Sequence, residues 1–398
     1  MIAVGIDVSK HKSTVAAIST DGEIMMKPTD FHHDQLTLTH LVSVLLDFHD
    51  DIKIVMEATG HYHKPILKIL LESNLFVSVV NPYVIKKYSE NDIRKGKTDK
   101  KDAMRIAWYV LEKQHSIVPY NAADQKYDDL KYLSRQYGQC VSMRVKARVQ
   151  LYNLLDNIMP GIQTILNSRT ANPDDNFLYK FIKKYESYDK IKSMSESRFI
   201  NSYLKLAYKS GARCPEARAL KIYETAINSI TTRPLDTSTR IIINEYIDLL
   251  KQTELSSNAI MHQMQSIACT LPEYDTVLAM GGVGFKLAPI LIAEIGDVRR
   301  FTNARALNAF AGNDAPPFQS GLYESQNRHI SKRGSAPLRK ACYEVTQCLK
   351  MHHMIDDPVY QYILKKEAEG KPKNVAKMAG VNKFLRIYYA RVMEVYNK

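Results

Sequence analysis

The chain has 398 residues, 45% of them apolar, enough for real cores in roughly two or three domains of ~150 residues. Its 55 Lys and Arg against 42 Asp and Glu leave a net charge of +13, with a pI near 9.2, which selects a polyanionic partner, most simply nucleic acid. A membrane protein is excluded by the lack of ~18 consecutive apolar residues and of a signal peptide, and five scattered cysteines without a CxxC pair fit free thiols in a reducing cytoplasm rather than a disulfide framework or zinc site.

The N-terminal stretch reads as a sheet. Ile2–Val8 is an apolar strand with Asp7 near its end, Lys12–Ser19 alternates as a second, and Glu23–Lys27 follows the Asp21-Gly22 turn as a third. Leu36–Phe48 has helical spacing. Ile52–Met56 is a short buried strand ending at Glu57, Pro65–Leu75 is a helix, and Phe76–Val80 is a strand closed by Asn81-Pro82. Strands followed by helices in this order predict a mixed sheet with helices packed on it.

Next comes a basic, glycine-containing stretch, Arg94–Val110. Thr98 is the expected N-cap of an apolar-periodic helix, and Asp99 and Asp102 fall about one turn apart on one face. Two such carboxylates repel unless a cation lies between them. Lys95, Lys97, Lys100 and Lys101 surround them and suit a phosphate backbone. A salt-bridged, solvated helix start is the plain alternative. Upstream partners change that weighting: Asp7 lies at the end of the first strand and Glu57 at the end of the fourth, and sites in mixed α/β sheets collect where adjacent strands end. The four acids together make a ligand set for two Mg²⁺ or Mn²⁺ ions ~3.5–4 Å apart.

The words MIAVGIDVSKHKSTVAAI, IVMEATGHYH, VNPYVIKKY and RKGKTDKKDAMRIA closely resemble the N-terminal RuvC-like domain, of RNase H fold, in the DEDD-type insertion-sequence transposases, also called bridge recombinases. The resemblance maps the DEDD set onto Asp7, Glu57, Asp99 and Asp102. It does not make His61 or His63 metal ligands.

From Ala122 to Met159 apolar residues recur at helical spacing with basic residues between, predicting one long helix or two before Pro160-Gly161. Residues 162–215 are tyrosine-rich and weakly periodic, which predicts an irregular helical insertion containing a loop over 168–176. Helical periodicity returns over Glu216–Ile230 and Ser238–Ala268. Periodicity does not separate an ordinary bundle from a coiled-coil arm; the resemblance places a coiled coil here, between two domains.

The last stretch begins near Leu271-Pro272. Met280–Lys286, rich in glycine, leads into the apolar helix Leu287–Ile295, an arrangement that can receive a phosphate, although glycine turns before helices are common. Thr302–Ala311 is a further helix. Beyond it, Arg328, Lys332, Arg333, Arg339 and Lys340 form a basic run, and Ser320 sits between Gln319 and Gly321 with no nucleophile-elbow pattern around it. GGVGFKLAPILIAEIGDVRRF, then QSG and HISKRGSAPLRKA, resemble the C-terminal domain of the same transposases, whose serine nucleophile maps onto Ser320. One departure is the entry Gly312-Asn313-Asp314-Ala315, where the family more often has Gly-Leu-(Asp/Ala)-Pro.

The expected architecture is therefore α/β plus α: a RuvC-like mixed sheet with helices over residues 1–120, a helical coiled-coil region over 121–270, and a mostly helical C-terminal transposase domain over 271–398. The resemblance implies a cytoplasmic, nucleoid-associated prokaryotic transposase that cuts and rejoins double-stranded donor and target DNA. It further implies a phosphoserine at Ser320, Mg²⁺ or Mn²⁺ on Asp7, Glu57, Asp99 and Asp102, an element-encoded guide RNA, and a dimer or tetramer with a site composed from distant segments. Lys95, Lys97, Lys100, Lys101, Lys286, Arg328, Lys332, Arg333 and Arg339 are the expected nucleic-acid contacts. A junction-resolving nuclease using the carboxylates alone, or a non-catalytic nucleic-acid-binding protein, are the other readings.

Overall fold

The computed structural model describes residues 1–57, 62–80, 82–89, 98–120, 125–166, 176–213, 215–315, 319–320, 323–324 and 329–397. It divides into two compact units, Met1–Ala122 and Ala123–Lys398.

Unit one opens with the expected meander: β1 (Ile2–Val8), β2 (Lys12–Ser19) and β3 (Ile24–His32) pair antiparallel. β3 runs five residues beyond its expected end at Lys27. Pro28 stops the sequence reading, since proline donates no ladder bond. The ladder survives because its register shifts between Val15 and Ala17, an irregularity that accommodates Lys27 and Pro28 before Thr29–His32 resume pairing. Then follow α1 (Gln35–Leu46), β4 (Ile52–Glu57), α2 (Lys64–Glu72), β5 (Phe76–Val80), α3 (Pro82–Ser89) and α4 (Asp99–Lys113). β4 and β5 add parallel to β1, so the sheet order is β3-β2-β1-β4-β5.

Strand alternation gives this sheet two apolar faces. Ile2, Val4, Ile6 and Val8 join Leu38, Leu41, Ile66 and Leu70 of α1 and α2. Ala3, Ile18 and Val55 join Ile106, Ala107 and Val110 of α4. Between them Gly5 is the contact point of helix and sheet: a Cβ there would overlap the backbone of Ala103 and Ala107. Only glycine lets α4 lie directly on β1. Thr98 caps α4, its side chain accepting from the backbone N–H of Lys101.

Unit two contains α5 (Gln125–Ile158), α6 (Ile162–Ile165), α7 (Phe177–Tyr185), α8 (Tyr188–Lys192), α9 (Glu196–Lys209), α10 (Glu216–Asn228) and α11 (Thr237–Ala268). It continues with α12 (Tyr274–Leu278), α13 (Leu287–Ile295), α14 (Ala304–Phe310), the short strands β6 (Gln319–Ser320) and β7 (Tyr323–Glu324), α15 (Ala336–Met351), α16 (Pro358–Ala368) and α17 (Lys373–Tyr396). The long α5 and α11 pack along one another. The described residues of this stretch, 162–166, 176–213 and 215, are more regular than expected: α6 to α9 enclose an aromatic core of Phe177, Phe181, Tyr185, Tyr188, Phe199 and Tyr203, sealed by Leu151, Leu155, Ile243 and Ile247 of the long helices, while the expected loop over 168–176 lies outside the described residues but for Asn176. Aromatics buried on several sides of short helices obscure the 3.6-residue period.

A second core joins the ends of the long helices to α12 through α17. Here the glycine turn has a packing explanation. Gly282, at φ +74°, places its backbone so close to α15 that a Cβ would sit 2.7 Å from the Val345 carbonyl, and Gly281 abuts Asp357, the N-cap of α16. Those two glycines seat the turn on two helices.

Candidate active site

The sheet register decides which acids meet. Ile6 is level with Met56 on the parallel strands β1 and β4, so Asp7 and Glu57, each the next residue, end those strands side by side. Asp7 also faces Thr14 on β2, which faces Asp30 on β3. Two-residue alternation from Ala3 and Gly5 puts Asp7 on the α4 side, and alternation from Val55 puts Glu57 there too. Asp99 and Asp102 occupy the first turn of α4, just ahead of Ala103, which rests on Gly5. Asp7, Glu57 and Asp102 are half-buried and Asp99 is exposed.

Asp30 lies beyond the expected end of β3 at Lys27, so the sequence reading does not include it among the acids of this edge. Thr14 Oγ1 donates to its Oδ1 at 2.7 Å, and Lys12 Nζ lies 2.6 Å from its Oδ2. The Lys12 bond, then the Thr14 bond, hold the Asp30 carboxyl below its ordinary range. Lys12 is in turn raised, first by its bond to Asp30, with a smaller contribution from Asp99. On α4, Arg105 Nη1 donates to Asp102 Oδ1 at 2.9 Å. The chain's own cations thus engage Asp30 and Asp102 at this edge.

As a donor set the four DEDD acids suit a hard divalent cation: all offer carboxylate oxygens, and they share one edge and one face of the sheet. Among the described residues, however, no three His, Cys, Asp or Glu side chains are grouped closely enough to hold a metal. No three of these acids are drawn within reach of one ion.

In unit two, Ser320 lies on a two-residue strand, its backbone paired with Tyr323 as Gln319 pairs with Glu324. The segment is closed at its base, where Ser331 N–H donates to the Asp314 carbonyl, Lys332 N–H to Gly312 and Ser335 N–H to Phe310. Ser331 Oγ also donates to Asp314 Oδ1 at 2.5 Å. The altered entry sequence is thus built into the base of the loop. Arg339 helps here structurally, its guanidinium donating to the Ala311 carbonyl at 2.8 Å. Lys332 and Arg333 are exposed, as are Lys100 and Lys101 at the start of α4. Lys286 lines a cavity of about 1020 Å³ bounded by α5, α13 and α15. Glu294, buried in that wall, accepts from Ser134 at 3.0 Å and Arg135 at 2.8 Å. Lys95, Lys97, Arg328 and His61 lie outside the described residues.

Comparison with known proteins covers both units. A family model for the DEDD transposase of IS110 type, described as "Transposase", matches residues 4–160, and a second, "Transposase IS116/IS110/IS902 family", matches residues 274–361. An uncharacterized 44.8 kDa protein of insertion element IS116 from Streptomyces clavuligerus is 22% identical over 93% of this chain and 89% of its own length. A mini-circle putative transposase for IS117 from Streptomyces coelicolor is 23% identical over 82% of this chain and 80% of its own length. The pilin gene-inverting protein of Moraxella bovis is 30% identical over 39% of this chain and 49% of its own length. A solved structure of T. thermophilus RuvC in complex with Holliday junction substrate aligns with 30% of this chain and 99% of that one, at 10% identity and a TM-score of 0.24, too slight a likeness to argue from. The chain is a DNA transposase, an enzyme of DNA recombination. It belongs to the IS116/IS110/IS902 family, the DEDD transposases of IS110 type. That membership implies divalent-metal dependence. Among the described residues no helix is long and apolar enough to cross a membrane.

Proposed function

We propose that this transposase cuts and rejoins double-stranded donor and target DNA through a phosphoserine at Ser320, with Asp7, Glu57, Asp99 and Asp102 holding Mg²⁺ or Mn²⁺. The observation that carries the reading is the register that levels Asp7 with Glu57 on the face covered by the Asp99–Asp102 turn of α4. Bound divalent ions would polarise the phosphodiester. Ser320 Oγ loses its proton and attacks phosphorus; the phosphorus–oxygen bond to the leaving sugar breaks, and that oxygen takes up a proton. In rejoining, a sugar hydroxyl attacks the phosphoserine, and Ser320 Oγ departs and is reprotonated. The covalent link conserves the ester for strand exchange, where hydrolysis would lose it.

An element-encoded RNA is proposed to choose the DNA, since a net charge of +13 alone supplies salt-sensitive, sequence-blind affinity. Lys100, Lys101, Lys286, Lys332 and Arg333 are proposed phosphate contacts, joined by Lys95, Lys97, Arg328 and Arg339. Residues 121–270 are proposed as an arm that joins copies into a dimer or tetramer, and 271–398 as the serine-bearing domain. The arm leaves Met143, Val145, Val149, Leu249 and Leu255 exposed on its two long helices, apolar surface suited to a second copy.

Ser320→Ala tests the chemistry. It should fold and bind DNA like the wild type, but give neither recombinant nor protein–DNA adduct. Wild type given nicked DNA that blocks rejoining should accumulate an adduct on the peptide containing Gln319-Ser320-Gly321. An adduct on Ser325, Ser331 or Ser335, or free phosphate ends with no adduct, would reject Ser320; the second outcome favours a hydrolytic nuclease.

A further inference from the structure

The same sheet edge that ends β1, β3 and β4 carries a second feature, outside the carboxylate set. A cavity of about 480 Å³ is lined by Lys10 and His11 in the β1–β2 turn, His32 and His33 where β3 ends, Asp34, and Tyr62 and Pro65 at the start of α2. The turn and the strand end are tied together, since the His33 N–H donates to the His11 carbonyl at 3.0 Å, and Ser13 Oγ and His33 Nε2 are 2.8 Å apart. Its charge is one-sided. One lysine and three imidazoles face a single carboxylate, and Asp34 is committed as the N-cap of α1, accepting from the backbone and hydroxyl of Thr37 at 2.8 and 2.9 Å. Two helices, α1 and α2, also start at this cavity, so their N-terminal dipole ends add to its positive potential. His63, the N-cap of α2, and Lys64, its first residue, follow Tyr62 and supply no acid.

We propose that this histidine-lined pocket seats a backbone phosphate of bound nucleic acid beside the carboxylate edge, and that proton uptake by the imidazoles strengthens that grip. The proposal rests on the reading of the chain as a nucleic-acid enzyme. It adds a subsite and a pH response that the DEDD acids and the serine do not supply. A phosphodiester is a monoanion throughout the neutral range, whereas an imidazole gains its charge near pH 6.5. Burial, followed by the neighbouring His11 and His32, lowers His33 below its ordinary value, and its bond to the Lys10 backbone opposes this. A phosphate arriving in the pocket opposes the repulsion that lowers His33, so binding tightens as pH falls.

The test uses the full chain with a labelled DNA duplex and, separately, an RNA hairpin of similar length, measured by anisotropy at pH 6.0 and 8.0 over a salt series. Wild type should bind at least one probe about fivefold more tightly at the lower pH, with a salt slope steeper by about one, the signature of one added phosphate contact. His11→Gln/His32→Gln, both exposed positions, should flatten that pH response to within about twofold without lowering the thermal midpoint. Adding His33→Gln should remove the remainder. The probe that loses its pH response identifies whether DNA or RNA occupies the pocket. A pH response in the variant equal to wild type, or none in wild type despite firm binding, would overturn the pocket. Failure to bind either probe at any pH would instead remove the nucleic-acid reading beneath it.

Discussion

Asp102 Oδ1 accepts a hydrogen bond from Arg105 Nη1 at 2.9 Å, so an acid of the DEDD set is already engaged by a cation of its own helix. On the proposed two-metal reading, a divalent ion competes with that guanidinium for the carboxylate. Arg105→Gln should therefore raise Mn²⁺ affinity about three- to tenfold in calorimetric titration, at unchanged helicity by circular dichroism. Affinity equal to wild type would show that the pair does not restrain the site. The double variant Arg105→Gln/Asp102→Ala should bind more weakly than Arg105→Gln, because it lacks the carboxylate that loss of the guanidinium frees.

Removing acids should separate cutting from binding. Asp99→Ala or Asp102→Ala deletes a proposed ion ligand and a charge that repels phosphate. Strand cleavage should fall to background in both variants while DNA affinity in gel shift stays equal or rises. Wild-type cleavage should likewise stop in EDTA and return with Mg²⁺ or Mn²⁺. Full activity in either variant, or in chelator, would count against the two-metal reading.

The seat of α4 is open to a single-methyl test. Gly5→Ala drives a Cβ into the backbone of Ala103 and Ala107, where no side chain can swing aside. The expected cost is about 3 kcal/mol or more in urea unfolding, at the upper end of overpacking penalties. Gly138, whose Cβ would meet nothing within 4 Å, serves as the control, and Gly138→Ala should be neutral or slightly stabilising. Equal stability of the two variants would contradict the close packing.

Alkaline pH should loosen unit two through a buried junction. Tyr127 and Tyr396 both donate to Glu273, at 2.7 and 2.6 Å, tying the start of α5 to the end of α17. Burial, then the bond to Glu273, pushes Tyr396 from 10.0 up to about 12. Burial, then the bonds to Tyr396 and Glu273, raises Tyr127 as well. A group whose folded value is raised contributes stability that is complete below its unfolded value and lost as pH climbs through the folded one. The contribution should thus hold up to about pH 10 and disappear toward pH 12. Tyr396→Phe should cost about 1–2 kcal/mol at pH 8, and the gap from wild type should narrow as pH rises across that window. Parallel profiles would rule the junction out as the source.

Local patterns carried much of the fold. Ile2–Val8, Phe76–Val80 and Leu287–Ile295 are apolar runs bounded by turn residues, and each forms the element its pattern predicts. Thr98 caps α4 as its position before Asp99 and Asp102 implies. What escaped depends on pairing across the chain. Strand β3 continues past Pro28 only because the ladder shifts its register, and Asp30 was hidden with it. The levelling of Asp7 with Glu57 is set by the parallel register of β1 on β4, which no window of either segment contains. The glycines before α13 read as a phosphate turn because a flexible turn and a close helix contact favour the same residue. The aromatic core of α7 to α9 left too little periodicity to be seen as regular helices.

The sheet edge also has an order of arrival. Asp7, Asp30 and Glu57 all lie within the first 57 residues, whereas Asp99 and Asp102 come in with α4, whose docking depends on the bare Gly5 backbone. A chain emerging from the ribosome exposes the strand acids first, and the helix must be synthesised and seated before all five stand together. On the proposed two-metal reading, completion of the carboxylate edge waits on a single helix settling against a single glycine.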